Sequence, residues 1–249
     1  MIGIIGGSGF YDFIESEESE NINTPFGATK YMIGNVAGTN VCFLPRHGSQ
    51  HSIAPSQINY RANIFAALTL GVEYIIATNA VGSLRKEFEP GLLAVPNGIL
   101  DFTSGRQSTF FDGSNIEIKI KSGKILTGVI HTDVTETLSH VIRTKIMTAA
   151  TKLGHKIYNG GTIVVSNGPR FETPAEIKSY AILGADFVGM TSAPEVFLAR
   201  ELDIPYASLA VITNYGAGLQ NSVNAEEVFT LFKNRISSVK EIIKLAISQ

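Results

Sequence analysis

The chain has a single cysteine, Cys42, in 249 residues. That leaves no internal disulfide and no zinc-ligand spacing, and inside the apolar run NVCFLP the residue reads as a buried strand thiol. Neither sign of charge is in excess: 20 Lys and Arg face 22 Asp and Glu, for a net charge of -2. Bulk electrostatics therefore give no reason to expect nucleic acid or membrane as a partner. No uninterrupted apolar run reaches the roughly 20 residues that span a bilayer, and the opening MIGIIGGSGF has no basic region ahead of a long apolar core. A cytoplasmic location is expected. There is no internal repeat, low-complexity tract or linker. With 44% hydrophobic and 17% charged residues, the expectation is one globular domain over residues 1–249 that handles small molecules.

What is present is an alternation. Short β-branched runs (IGIIG, VCFLP, EYIIATN, LLAVP, ILTGVI, TIVVSN, DFVGMT and YASLAVITN) alternate with segments of helical period. Several runs are apolar on both sides, as strands covered on both faces are. Helices are predicted over 56–70, 136–153 and 174–183, closed by Gly71, Gly154 and Gly184. A last helix begins near Asn224, with Glu227 as box partner and an apolar face from Val228 to Ile243. The acidic and then Gly-rich stretch at 15–40 reads as a solvated face followed by a loop and hairpin. The pattern is α/β with a central sheet flanked by helices.

The stretch GPRFETPAEIKSY at 168–180 shows how one acid separates from another. Thr173, Pro174 and Glu176 form a helix start, with Glu176 reaching back to the cap. Glu172 stands outside that helix, in a turn where function is commonly carried; capping of local backbone amides is its alternative role. GIIGGSGF offers amides and the Ser8 hydroxyl to an anion. It fails as a dinucleotide fingerprint because Asp12 occupies the third glycine position, and it lacks the lysine of a P-loop. A plain tight turn is the alternative.

PRHGSQHSIAP puts Arg46, His47 and His51 just after a strand. Arginine offers a planar fork to phosphate and histidine a proton-bearing nitrogen. His47 and His51 have the i, i+4 spacing of metal ligands, but the glycine between them and the proline beyond oppose the helix this needs. His131, in GVIHTD, reads equally as a satisfied loop histidine or a substrate contact. Asn79 and Ala80 in TNAVGSL, and Thr191 ahead of a helix in GMTSAPE, also fall at strand ends. In an open α/β sheet the ligand crevice lies at the carboxyl ends of the strands. Ser8, Arg46, His47, Ala80 and Thr191 are thus five strand-end positions able to hold phosphate oxygens.

IGIIGGSGFYDF, PRHGSQHSIAPSQINYRANI, TNAVGSL, GPRFETPAE, GADFVGMTSAPEVFLARE and YASLAVITNYGAG resemble, in order and over nearly the whole chain, the purine nucleoside phosphorylase and methylthioadenosine phosphorylase family. The resemblance implies a mixed-sheet phosphorylase with neither metal nor organic cofactor. Inorganic phosphate is its co-substrate and displaces a purine from C1′ of a ribosyl group. It implies trimers, or hexamers built from trimers, with sites bordered by a neighbouring subunit. Ser8, Arg46, His47, Asn79, Ala80 and Thr191 would surround phosphate. Met190 would lie against the ribose, Phe171 against the purine, and Asn214, Tyr215 and Gly216 along the base. His131 would reach an adjoining subunit's site. Glu172, Asn214 and His47 are the candidates for the chemistry.

Family members that cleave methylthioadenosine resemble one another in having serine at the position of Glu172 and aspartates at those of Asn214 and Gly216; this chain departs at all three. A carboxylate can accept N1–H of a 6-oxopurine, and an amide can donate to O6 or engage N7. The expected substrates are therefore inosine, guanosine or methylthioinosine. Ala225 stands where relatives have a histidine for a 5′-hydroxyl or a valine for a 5′-methylthio group, and leaves both sugars open. The rivals are a 6-aminopurine-specific methylthioadenosine phosphorylase, a water-using nucleosidase, and a non-enzymatic nucleoside- or nucleotide-binding module.

Overall fold

A computed structural model describes residues 1–7, 10, 13–14, 19–48 and 52–249. Ser8 and His51, together with Asp12 and most of the acidic run, lie outside the described residues. The first half folds as β1 (Ile2–Gly6), β2 (Glu20–Thr24), β3 (Gly27–Val36), β4 (Thr39–Pro45), a 3-10 turn (Pro55–Gln57), α1 (Tyr60–Thr69), β5 (Ile75–Ser83), β6 (Leu93–Val95), β7 (Gly98–Asp101), β8 (Ile118–Lys119) and β9 (Ile125–Leu126). The second half continues with α2 (His140–Lys152), β10 (Ile157–Asn159), β11 (Thr162–Val165), α3 (Pro174–Ile182), β12 (Phe187–Gly189), α4 (Ser192–Glu201), β13 (Tyr206–Tyr215) and α5 (Ala225–Ile247).

One mixed sheet runs β10-β6-β13-β5-β1-β4-β3-β2 and carries a branch of β12, β11 and β7. On one face, α2 and α5 cover Ile4, Phe43, Leu209 and Val211 with Ile146, Val239 and Ile243. On the other, α1 and α4 cover Ile5, Leu44 and Ile75 with Ile64, Val196 and Leu198. Burial on both faces is why β1 and β13 are rich in apolar residues at consecutive positions instead of alternating with polar ones.

The sheet forks at β5. On one edge β13 pairs with β5 along its length, from Tyr206↔Ile75 to Tyr215↔Ser83. On the other edge β1 leaves after Ile5↔Ala77, and β12 joins, antiparallel, only at Val188↔Gly82. A gap opens between them at Thr78–Val81.

Most elements match the sequence reading, and each departure has a local cause. Residues 15–40 do contain a hairpin, β2–β3, but Glu20 accepts a hydrogen bond from the Tyr31 hydroxyl at 2.7 Å instead of being merely solvated. Helix α1 begins at Tyr60 because Asn59 caps it, its side chain accepting from Ala62 N. Glu136 is not in α2; its carboxylate accepts from His140 N at 2.8 Å, ahead of the first turn. ILTGVI is a strand only over Ile125–Leu126, since Gly128 turns the chain at φ 77 and both Ile125 and Val129 are exposed. Asn224 caps α5 through Glu226 N, two residues on.

Candidate active site

The fork in the sheet shapes the site. Strand β5 is buried at every position except Ala80. Its placement at a strand end needs correction: β5 continues to Ser83 because β13 supports it throughout. The opening arises instead from the departure of β1. Thr78 O accepts from Arg46 Nη1 at 2.9 Å on this edge. Alternation along the strand turns the amide of Ala80, two residues on, toward the same gap.

Arg46 follows β4 in a turn closed by Gly48 N donating to Pro45 O at 3.0 Å, with Gly48 at φ 72. Its own amide donates to Gly6 O, tying the turn to the end of β1. Arg46 Nε and Nη2 donate to Glu195 Oε2 and Oε1 at 2.8 and 2.7 Å, and Tyr206 Oη donates to Glu195 Oε1 at 2.7 Å. Arg46 is 3% exposed and Glu195 fully buried. Burial alone would pull the Arg46 guanidinium down, but the Glu195 carboxylate raises it above its usual range. Among the described residues three of the five guanidinium N–H groups are thus engaged, leaving one on each Nη for an anion.

His47 Nδ1 lies 2.9 Å from Ile53 O, which can only accept, so Nδ1 carries the hydrogen. Thr191 is the N-cap of α4, yet its side chain caps nothing; its Oγ1 accepts from Asn79 Nδ2 at 2.9 Å. Asn79 Oδ1 in turn accepts from Ser208 Oγ at 2.7 Å. Asn79 therefore orients Thr191, and the Thr191 hydroxyl proton remains available to a ligand.

A cavity of about 500 Å³ opens beside this cluster. Arg46, His47, Asn79, Ala80 and Thr191 line one end, and Phe171, Glu172, Met190 and Asn214 line it as well. Glu172 Oε1 accepts from Ser166 Oγ at 2.5 Å, and Oε2 is unengaged among the described residues. Asn214 Nδ2 donates to Tyr215 O at 2.8 Å while Oδ1 accepts from Thr213 Oγ1 at 3.0 Å. Because a carbonyl only accepts, the amide orientation is determined, and one N–H stays free among the described residues. Asn214 lies over Gly82, where a Cβ would come within 3.0 Å of Nδ2. Gly168, at φ 59, leaves the space that the Met190 sulphur fills.

Glu176, by contrast, is engaged in structure. It closes the capping box with Thr173 and receives both Arg170 Nη groups at 2.9 and 2.8 Å. Tyr215 and Gly216 do not line the cavity. The Tyr215 hydroxyl donates to Lys86 O, and Gly216 packs against Ile177. His131 is exposed and stands away from this chain's cavity. Ala225 does line it, together with Val228, Phe229 and Phe232 on one face of α5.

Glu195, Tyr206 and Ser166 escape the sequence reading. Each touches another side chain rather than the cavity, and the only signal was the place of Tyr206 at the head of the strand run YASLAVITN.

The model of the phosphorylase superfamily matches residues 1–248. The chain belongs to this superfamily. Among phosphorylases it is 46% identical to the 6-oxopurine nucleoside phosphorylase of Pyrococcus furiosus, over 99% of this chain and 91% of that one. It is 41% identical to a probable S-methyl-5′-thioinosine phosphorylase of Methanopyrus kandleri, over 99% and 91%. In three dimensions this phosphorylase is similar to the methylthioadenosine phosphorylase of Schistosoma mansoni in complex with adenine. The TM-score is 0.89 and the identity 35%, over 99% of this chain and 90% of the other. Fold and enzyme class are therefore those the sequence motifs imply.

Proposed function

We propose that this phosphorylase acts on 6-oxopurine nucleosides (inosine, guanosine and methylthioinosine), releasing the base in purine salvage. The observation that carries the reading is the pairing, in one cavity, of a free acceptor with a free donor: Glu172 Oε2 and the second N–H of Asn214. A 6-oxopurine presents N1–H to the first and O6 or N7 to the second. A 6-aminopurine would set its unprotonated N1 against the carboxylate, a mispairing that discriminates strongly when buried.

The chemistry follows from charge. A phosphate oxygen bonds to C1′ as the C1′–N9 bond breaks, leaving the electron pair on the purine. Ring positive charge develops toward the phosphate, and the donor at the base edge meets the developing negative charge. Arg46, His47, Thr191 and the Ala80 amide hold the phosphate, with Ser8 expected beside them. No covalent enzyme intermediate is required, and neither metal nor organic cofactor takes part; turnover should persist in chelator.

At the sugar's 5′ end, Ala225, Val228 and Phe229 present an apolar wall, which favours acceptance of a 5′-methylthio group. Val129 and Val134, flanking His131 on an exposed segment, are apolar. This supports a homo-oligomer, trimeric or hexameric, in which His131 borders a neighbour's site. Among the described residues no helix is long and apolar enough to cross a membrane; a cytoplasmic location is our reading.

The test is base release from inosine, guanosine, methylthioinosine, adenosine and methylthioadenosine, with and without phosphate. Hypoxanthine and guanine release that needs phosphate, with little adenine, is expected. Adenine release from methylthioadenosine at a comparable rate would overturn the 6-oxopurine preference, and turnover without phosphate would make the protein a nucleosidase.

A further inference from the structure

Arg106 lies in the loop after β7 and does not line the cavity. Its hydrogen bonds all go to neutral groups. Nη1 donates to Ala193 O at 2.6 Å and to Tyr60 Oη at 3.2 Å; Nη2 donates to Asn167 O at 3.0 Å and to Ser166 O at 3.3 Å. The guanidinium carbon sits 5.3 Å from the Tyr60 ring centre. Nε is buried without a hydrogen-bond partner among the described residues, and burial holds the group below the usual guanidinium range. Asp101 and Glu195 act on it only through space, and a part-buried cation with no carboxylate hydrogen-bonded to it among the described residues is costly, so its contacts need a further explanation.

The acceptors supply one. Ser166 carries the hydroxyl that holds Glu172 Oε1. Asn167 opens the turn that leads to Phe171 and Glu172. Ala193 follows Thr191 by two residues at the kinked start of α4. The Tyr60 hydroxyl donates to Pro55 O at 2.9 Å, and Pro55 lines the cavity on the side of His47.

We infer that Arg106 is a positioning residue, a single planar fork that sets the Glu172 carboxylate, Thr191 and Pro55 in one mutual arrangement. Five coplanar donors can reach carbonyls on separate segments at once, which the compact ammonium of lysine cannot reproduce. Arg106 is itself delivered by an anchored loop. Ser104 N donates to Asn167 Oδ1, and Asn167 Nδ2 returns to Ser104 O, both at 3.1 Å.

One arm of this inference rests on the 6-oxopurine reading of Glu172; the phosphate arm does not. The experiment measures kcat/KM for inosine and adenosine, KM for phosphate and the thermal midpoint in wild type, Arg106→Gln, Arg106→Lys and Ser166→Ala. In Arg106→Gln the inosine-to-adenosine ratio should fall about tenfold and KM for phosphate rise about fivefold, the scale of displaced charge-assisted hydrogen bonds. Arg106→Lys should resemble it. Ser166→Ala should lose selectivity while KM for phosphate stays unchanged. An unchanged ratio together with an unchanged phosphate KM in Arg106→Gln, whatever happens to the midpoint, would reduce Arg106 to a structural role. A wild type without inosine preference would sink the reading of Glu172 and leave the phosphate arm to decide on Arg106. If Arg106→Gln does not fold, Arg106→Lys and Ser166→Ala carry the same comparison.

Discussion

Glu172 and Glu176 are four positions apart and do opposite things, because one faces a cavity and the other a helix terminus. Removing the first should affect chemistry. Glu172→Ala is expected to lower kcat/KM for inosine roughly 10- to 100-fold, the cost of one charged hydrogen bond, with KM for phosphate within about twofold. Steady-state kinetics with each substrate varied would check this, and a variant as active as wild type would remove Glu172 from the site. The Arg46–Glu195 pair belongs to the same scale but is an anchor. Breaking a buried pair leaves an uncompensated charge, so Glu195→Ala should destabilise the protein by roughly 3 to 5 kcal/mol and raise KM for phosphate as Arg46 loses its orientation. Denaturant unfolding beside kinetics would test both effects; a variant unfolding at the wild-type midpoint would show that the pair contributes little.

At the scale of elements, α3 offers a pH test. Hydrogen bonding from Arg170, with the Thr173 amide, lowers the Glu176 pKa to about 2. A folded-state pKa below the unfolded one means the contribution is complete above the ordinary carboxylate range and is lost as pH falls through about 2. Solvent reaches this carboxylate, so the contribution is modest, roughly 0.5–1 kcal/mol. The stability difference between wild type and Glu176→Gln should therefore be present at neutral pH and shrink through the acid range. A difference independent of pH would point to packing. The elements also show what periodicity can reveal. Thr173-Pro174-Glu176 announced its helix because a capping box is a local hydrogen-bond pattern. The weakly paired 125–130 segment misled because apolar runs also occur on exposed loops.

At the scale of the molecule, the exposed His131 segment makes a prediction about assembly. Light scattering should return three or six times the 26.8 kDa of the chain, and a monomer active at high dilution would argue that each cavity is complete alone. The sequence by itself determined the alternation of strands and helices, and motif by motif it pointed to Arg46, His47, Glu172, Thr191 and Asn214, since turns, caps and buried runs are written in neighbouring residues. Only the tertiary structure decided that β1 abandons β5 to open the gap at Ala80, that Asn79 orients Thr191, and that Glu195 and Arg106 hold residues far from them in the chain. Those relations join positions separated by up to 149 residues, and a contact between distant segments leaves no periodicity in either.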